Sequence, residues 1–151
     1  MSGRTAVLCG TLVVGVLDIA DAFVFFGVRN GVPPARILQS IAAGLIGRPA
    51  ALSGGTATAV LGACLHFFIA FVVVLTFYVA SRYRRVLTRH ALVFGMLYGV
   101  AVYVVMNFVV IPLSAAPARG PVPAAVLLNG LLIHALGVGL PTALFARAAR
   151  T

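Results

Sequence analysis

Four apolar runs of spanning length divide the chain, at about residues 6–27, 57–79, 91–111 and 124–145. Each holds the roughly 20 apolar residues that an α-helix needs to cross a hydrocarbon core. Helix breakers separate them. Val28-Arg29-Asn30-Gly31-Val32-Pro33-Pro34 ends the first run, and Arg48-Pro49 with Ser53-Gly54-Gly55 leads into the second. The basic stretch Arg82-Tyr83-Arg84-Arg85-Val86-Leu87-Thr88-Arg89-His90 follows, Pro112 stops the third run, and a Pro/Ala/Gly-rich loop from Pro117 to Pro123 precedes the fourth. One further periodic segment, about residues 35–47, places Ile37, Leu38, Ile41, Leu45 and Ile46 on one helical face with Arg36, Gln39 and Ser40 elsewhere. It is too short to cross, which predicts an amphipathic interfacial helix lying on the membrane or tucked into it. The pattern predicts an all-α integral membrane fold: residues 1–151 form a single four-helix transmembrane domain of two hairpins, with the interfacial helix between helices one and two.

Composition supports lipid as the solvent. The chain is 62% hydrophobic and 9% charged, with a mean hydropathy of +1.15. That leaves too little polar surface for a water-soluble globule. The net charge of +9 raises nucleic acid as a partner, but every one of the 11 basic residues is arginine, and most flank the apolar runs as helix anchors. Membrane topology accounts for them, and no nucleic-acid partner is expected. Cys9 and Cys64 stand alone in different runs, without the spacing of a disulfide framework or zinc site. Arg4, the apolar stretch after it and Ala20-Asp21-Ala22 have the outline of a secretory leader. The aspartate inside the apolar region and the continuation through Phe23-Val24-Phe25-Phe26 predict an uncleaved first span.

By the positive-inside rule the basic stretch at residues 82–90 is cytoplasmic, and four spans then put both termini inside with Arg4, Arg147 and Arg150. Arg29, Arg36, Arg48 and Arg119 fall outside.

Asp18 and Asp21 are the only acidic residues, and both lie within the first apolar run. An ionised carboxylate at the bilayer centre costs at least ~2.5–3.5 kcal/mol, so such residues require partners, water or protons. With each span centred in the bilayer, Asp18, His66 and His134 fall near the midplane, while Asp21, Asn107 and Asn129 lie several ångströms toward the outside. These six residues, contributed by all four spans, predict one buried polar site open, if anywhere, to the outside. Two carboxylates at i, i+3 share a helical face and compete for protons, and a histidine at the same depth can exchange them. That makes Asp18, Asp21, His66 and His134 candidates for a proton relay. The plainer reading is interhelical glue, which fits Asn107 and Asn129 best.

The segments Gly62-Ala63-Cys64-Leu65-His66 and Gly130-Leu131-Leu132-Ile133-His134 share a Gly-x-x-x-His pattern at similar depth, as in a parallel repeat of two hairpins. Two midplane histidines can ligate a b-type haem, with the preceding glycines leaving room for a flat macrocycle. Such glycines more often let helices approach, the reading also given to Gly95-x-x-x-Gly99 in the third run, which makes haem the minority reading. A metal site of two His and two Asp is allowed by ligand type, but no spacing specifies one. Pro141 removes a helical hydrogen bond to the carbonyl of Gly137 and predicts a kink. No phosphate loop, Ser-His-Asp set or GxGxxG fingerprint is present, so soluble-enzyme chemistry has no sequence support.

The order of features from His66 onward resembles the YagU-like family of small bacterial inner-membrane proteins. It comprises a His-led second span ending in Tyr78-Val79-Ala80-Ser81, a basic turn, Gly95-Met96-Leu97-Tyr98-Gly99, Asn107-Phe108 before Pro112-Leu113, and a final His134. The likeness covers roughly the last three spans and does not carry the Asp18/Asp21 pair or the amphipathic insertion. It implies four spans and a bacterial inner-membrane location, and supplies no molecular activity or catalytic residues. The leading expectation is a proton-linked or small-solute-handling protein, or an accessory subunit of a membrane complex, without enzymatic activity or a bound cofactor. The alternatives are a haem b or quinone redox protein using His66 and His134, and a purely structural partner. Lipid, and a homo-oligomer or larger membrane complex, are the expected partners.

Overall fold

The computed structural model describes residues 1–117 and 120–150. Arg119, assigned to the outside above, lies outside the described residues. These contain seven helices and no strand: α1 (Gly3–Asn30), α2 (Pro34–Ile46), α3 (Arg48–Ser53), α4 (Gly55–Tyr83), α5 (Val86–Arg89), α6 (Ala91–Leu113) and α7 (Ala124–Ala148). α1, α4, α6 and α7 are long and apolar enough to cross a membrane. They reach a few residues beyond the apolar runs because capping groups extend them. Ser2 accepts a hydrogen bond from the Thr5 amide at the start of α1. At its end Gly31 takes the left-handed conformation and returns its N–H to Gly27 and Phe26.

Only 17–28% of each spanning segment is buried against protein. The remainder is apolar surface for lipid, so the protein–protein seams are narrow and must pack closely. α1 lies between α4 and α7, and α6 packs on the other side of α7. Val7, Val14, Ala70, Val74 and Val138 join α1, α4 and α7, while Phe77, Ala91, Ala143 and Ala146 close one end of the bundle. At that end the Met1 amino group donates to the Ala148 carbonyl and Arg150 to the Ser81 carbonyl. Both termini and the basic α4–α6 connection therefore share one end. In the adjoining half of the bundle α4 meets α6 directly, with Tyr98 donating to the Val73 carbonyl at 2.7 Å.

In the other half, α4 and α6 diverge and α2 fills the gap. The amphipathic helix is thus tucked into the bundle rather than laid across its surface. Its backbone at Leu38 occupies the space that a Cβ on Gly62 would need. Gln39 is buried and donates to the Gly55 carbonyl, while the carbonyl of Gly44 accepts from the Ala115 amide beyond α6. Across the bundle, Gly95 and Gly99 of α6 face the backbone of Gly139 and His134 in α7, the close approach expected of the Gly95-x-x-x-Gly99 stripe.

Two π segments interrupt the spans, Met106–Val110 within α6 and His134–Gly139 within α7. The amides of Ile111 and Leu140 reach back five residues, to Met106 and Ala135. Each of these residues immediately precedes a proline, Pro112 or Pro141. A proline has no N–H and its ring crowds the carbonyl four residues earlier, and a widened turn relieves that clash. The irregularity expected at Pro141 takes this form, and α6 continues past Pro112 by the same means.

A side chain at Gly62 or Gly99 meets backbone, which cannot swing aside. Gly62→Val and Gly99→Val are each expected to lower stability by about 1–3 kcal/mol, read as a lower midpoint in thermal or detergent unfolding. Gly120→Ala, whose Cβ meets nothing within 4 Å, should leave the midpoint unchanged.

Candidate functional site

Three residues apart on α1, Asp18 and Asp21 share one helical face, and that face looks toward α7. Asn129 donates from Nδ2 to Oδ2 of Asp21 at 2.7 Å. Asp18 Oδ1 lies 3.9 Å from Nδ1 of His134, within ion-pair range but too long for a hydrogen bond. The expected pair of carboxylates is thus divided between two partners on the same neighbouring helix.

The histidines are held by backbone carbonyls. His134 Nδ1 bonds to the Gly130 carbonyl on its own helix at 2.9 Å, and His66 Nε2 bonds to the Gly15 carbonyl on α1 at 2.9 Å. A carbonyl oxygen can only accept. Each bond therefore places the proton on the named nitrogen, and in the neutral ring the other nitrogen, Nε2 of His134 or Nδ1 of His66, is an acceptor. Gly15 makes the second arrangement accessible, because without a Cβ it lets the Phe67 ring and the adjacent His66 close on α1. The two Gly-x-x-x-His segments are consequently used differently. The room at Gly62 is filled by the backbone of α2, and the room at Gly130 by the Tyr103 ring, so neither glycine opens a slot for a flat macrocycle.

Both π segments carry a site residue. Asn107 lies in the first and donates from Nδ2 to the Tyr103 carbonyl at 2.9 Å, and His134 opens the second. In each case the side chain bonds a carbonyl four residues back. The sequence signal for both is a polar residue in an apolar span with a proline five or seven residues later.

All six predicted residues, Asp18, Asp21, His66, Asn107, Asn129 and His134, line one partly open cavity of about 290 Å³ bordered by the four spans and α2. That volume is at the lower end of the ~300–1,000 Å³ range of small-molecule sites. Hydrophobicity patterning did not single out Tyr103, whose ring meets His134 edge-on at 5.3 Å, or Ser40 of α2, and both also line it. Phe25, Phe26, Ile37, Ile41 and Ile111 wall the cavity on the side away from the termini. Ser40 also borders an open groove containing Arg36 and Arg48. Among the described residues, no group of three or more His, Cys, Asp or Glu is placed to hold a metal ion.

The part-buried Asp21–Asn129 bond ties α1 to α7. A double-mutant cycle with Asp21→Ala and Asn129→Ala, read by reversible unfolding in mixed micelles, is expected to give a coupling of about 0.6–1.7 kcal/mol; additive effects would mean that the bond contributes nothing. In comparison with known proteins, no family model, no curated protein and no solved structure matches this chain.

Proposed function

We propose that this multi-pass membrane protein handles a small solute, binding it in the central cavity in exchange with protons carried by Asp18 and its neighbour His134. One observation supports the reading above all others: polar side chains from all four spans border a single cavity, and only Asp21 and Asn129 among the six are hydrogen-bonded to each other. Interhelical glue needs only contacts of the Asp21–Asn129 kind. A concavity lined by polar groups from every span, each costly to place in a membrane, has the make-up of a small-molecule site. The groove that shares Ser40 with the cavity lies at the end opposite the termini.

Seven arginines lie at the end that holds the termini, namely Arg4, Arg82, Arg84, Arg85, Arg89, Arg147 and Arg150. By charge bias that end is cytoplasmic and the groove opens to the opposite face, as in a bacterial inner membrane.

Proteoliposomes enclosing a pH-sensitive dye test the coupling. With an imposed pH gradient and a panel of small amines, carboxylates and neutral alcohols, at least one solute should collapse the gradient faster than in empty vesicles. Asp18→Asn, still monodisperse in detergent, should abolish that acceleration. A panel in which every solute behaves as in empty vesicles would sink the proposal. For orientation, a C-terminal green fluorescent protein fusion should fluoresce and a C-terminal alkaline phosphatase fusion should be inactive in bacterial cells; the reverse pattern inverts the assignment.

A further inference from the structure

The geometry points to a protonated organic amine as the solute of the central cavity, an inference that rests on reading the cavity as a solute site. Several polar groups around the cavity have spent hydrogen-bond donors on the protein itself. His66 Nε2 donates to the Gly15 carbonyl, His134 Nδ1 to the Gly130 carbonyl, Asn107 Nδ2 to the Tyr103 carbonyl, and Ser40 Oγ to the Ile37 carbonyl. Asn129 Nδ2 donates to Asp21. What remains is weighted toward acceptors: the Asp18 oxygens, Oδ1 of Asp21 and the second ring nitrogen of each neutral histidine stand against one further N–H of Asn129 and the Tyr103 hydroxyl. His66 lines the cavity with its Nε2 committed to the Gly15 carbonyl, which leaves Nδ1 as the ring's acceptor. An acceptor at a cavity wall is matched by an N–H donor on the occupant.

Charge selects the same class. Of the titratable groups facing the cavity, α1 contributes Asp18 and Asp21, α4 His66, α6 Tyr103 and α7 His134, while α2 contributes none. No arginine lines it among the described residues. An anionic solute would find two carboxyl groups and no fixed cation, whereas a cation supplies the missing counter-charge. The walls exclude a strongly hydrated inorganic ion as the natural occupant. Phe25, Phe26, Met106, Ile41 and Ile133 offer apolar contact to an organic body. An ammonium group and a proton compete for the same carboxyl oxygens. Each amine cation that enters displaces one proton to water, and charge balances without a further ion.

Benzylammonium, with benzyl alcohol and benzoate as shape-matched neutral and anionic controls, tests this on the purified protein in mild detergent. Benzylammonium should raise the thermal midpoint and release protons into weakly buffered solution. Its affinity should fall about tenfold per pH unit on acidification through the exchange range. Benzyl alcohol and benzoate should do neither, and ammonium or sodium chloride should bind at least about tenfold more weakly, lacking the apolar body. Asp18→Asn and Asp21→Asn should each remove proton release. Ile41→Trp, which fills the cavity from α2 and leaves the carboxylates in place, should remove binding. Preference for benzoate or benzyl alcohol, equal binding of sodium, or benzylammonium binding that survives Asp18→Asn/Asp21→Asn would overturn the assignment. Vesicle flux of a different solute class would then leave the solute-handling reading standing. Conversely, amine binding without flux of any solute would uphold the ligand class and remove transport.

Discussion

In a bilayer there is no water to solvate a polar side chain, so the two carboxylates of α1 must find their partners within the protein. That constraint sets the arrangement of the bundle. Asp21 takes its hydrogen bond from Asn129, Asp18 faces His134, and both partners belong to α7. On the other flank His66 draws α4 to the Gly15 carbonyl. α1 is therefore held between α4 and α7 by polar contacts as well as by the valine and alanine seam of Val7, Val14, Ala70, Val74 and Val138. α6 is added by glycine contacts, with Gly95 and Gly99 against the backbone of α7, and by the Tyr98 hydroxyl on the Val73 carbonyl of α4.

This order leaves α4 and α6 apart in one half of the molecule, and α2 occupies the gap. All four spans border the polar cluster, and α2 adds a fifth wall through Ile37, Ser40 and Ile41. Its fit depends on Gly62, where two backbones meet, and on Gln39, whose buried amide is satisfied by Gly55. Met106 and Asn107 of the first π segment and His134 and Val138 of the second line the same cavity, while Phe108, Val109 and Leu136 stay exposed; the five-residue backbone bonds keep the widened turns satisfied. The prolines that cause these segments thus also help to aim Asn107 and His134.

Much of this architecture is legible in the sequence. Apolar runs bounded by Gly, Pro and Arg locate the spans to within a few residues, because hydrophobic length is a local property that lipid reads directly. The grouping of Asp18, Asp21, His66, Asn107, Asn129 and His134 follows from depth, since a rise of ~1.5 Å per residue turns sequence position into height in the membrane. Depth does not specify azimuth. Pairings around the bundle, such as Asp21 with Asn129 or His66 with a backbone carbonyl, depend on how each helix is rotated and which helices are neighbours. The π segments were hidden for a related reason: Pro112 and Pro141 announce a disturbance, but whether a helix ends, kinks or widens is decided by what packs beside it.

By itself, then, the sequence determined a four-span helical membrane protein with a short amphipathic helix and six polar residues clustered in depth, because the energetics of apolar length and buried charge act residue by residue. Only the tertiary structure decided that α2 enters the bundle, that each carboxylate has its own partner on α7, and that the polar residues border a cavity instead of filling it. Those outcomes depend on backbone contacts at Gly62, Gly95, Gly99 and Gly139, where glycines far apart in sequence allow helices to touch. Their meaning exists only once the partner surfaces are in place.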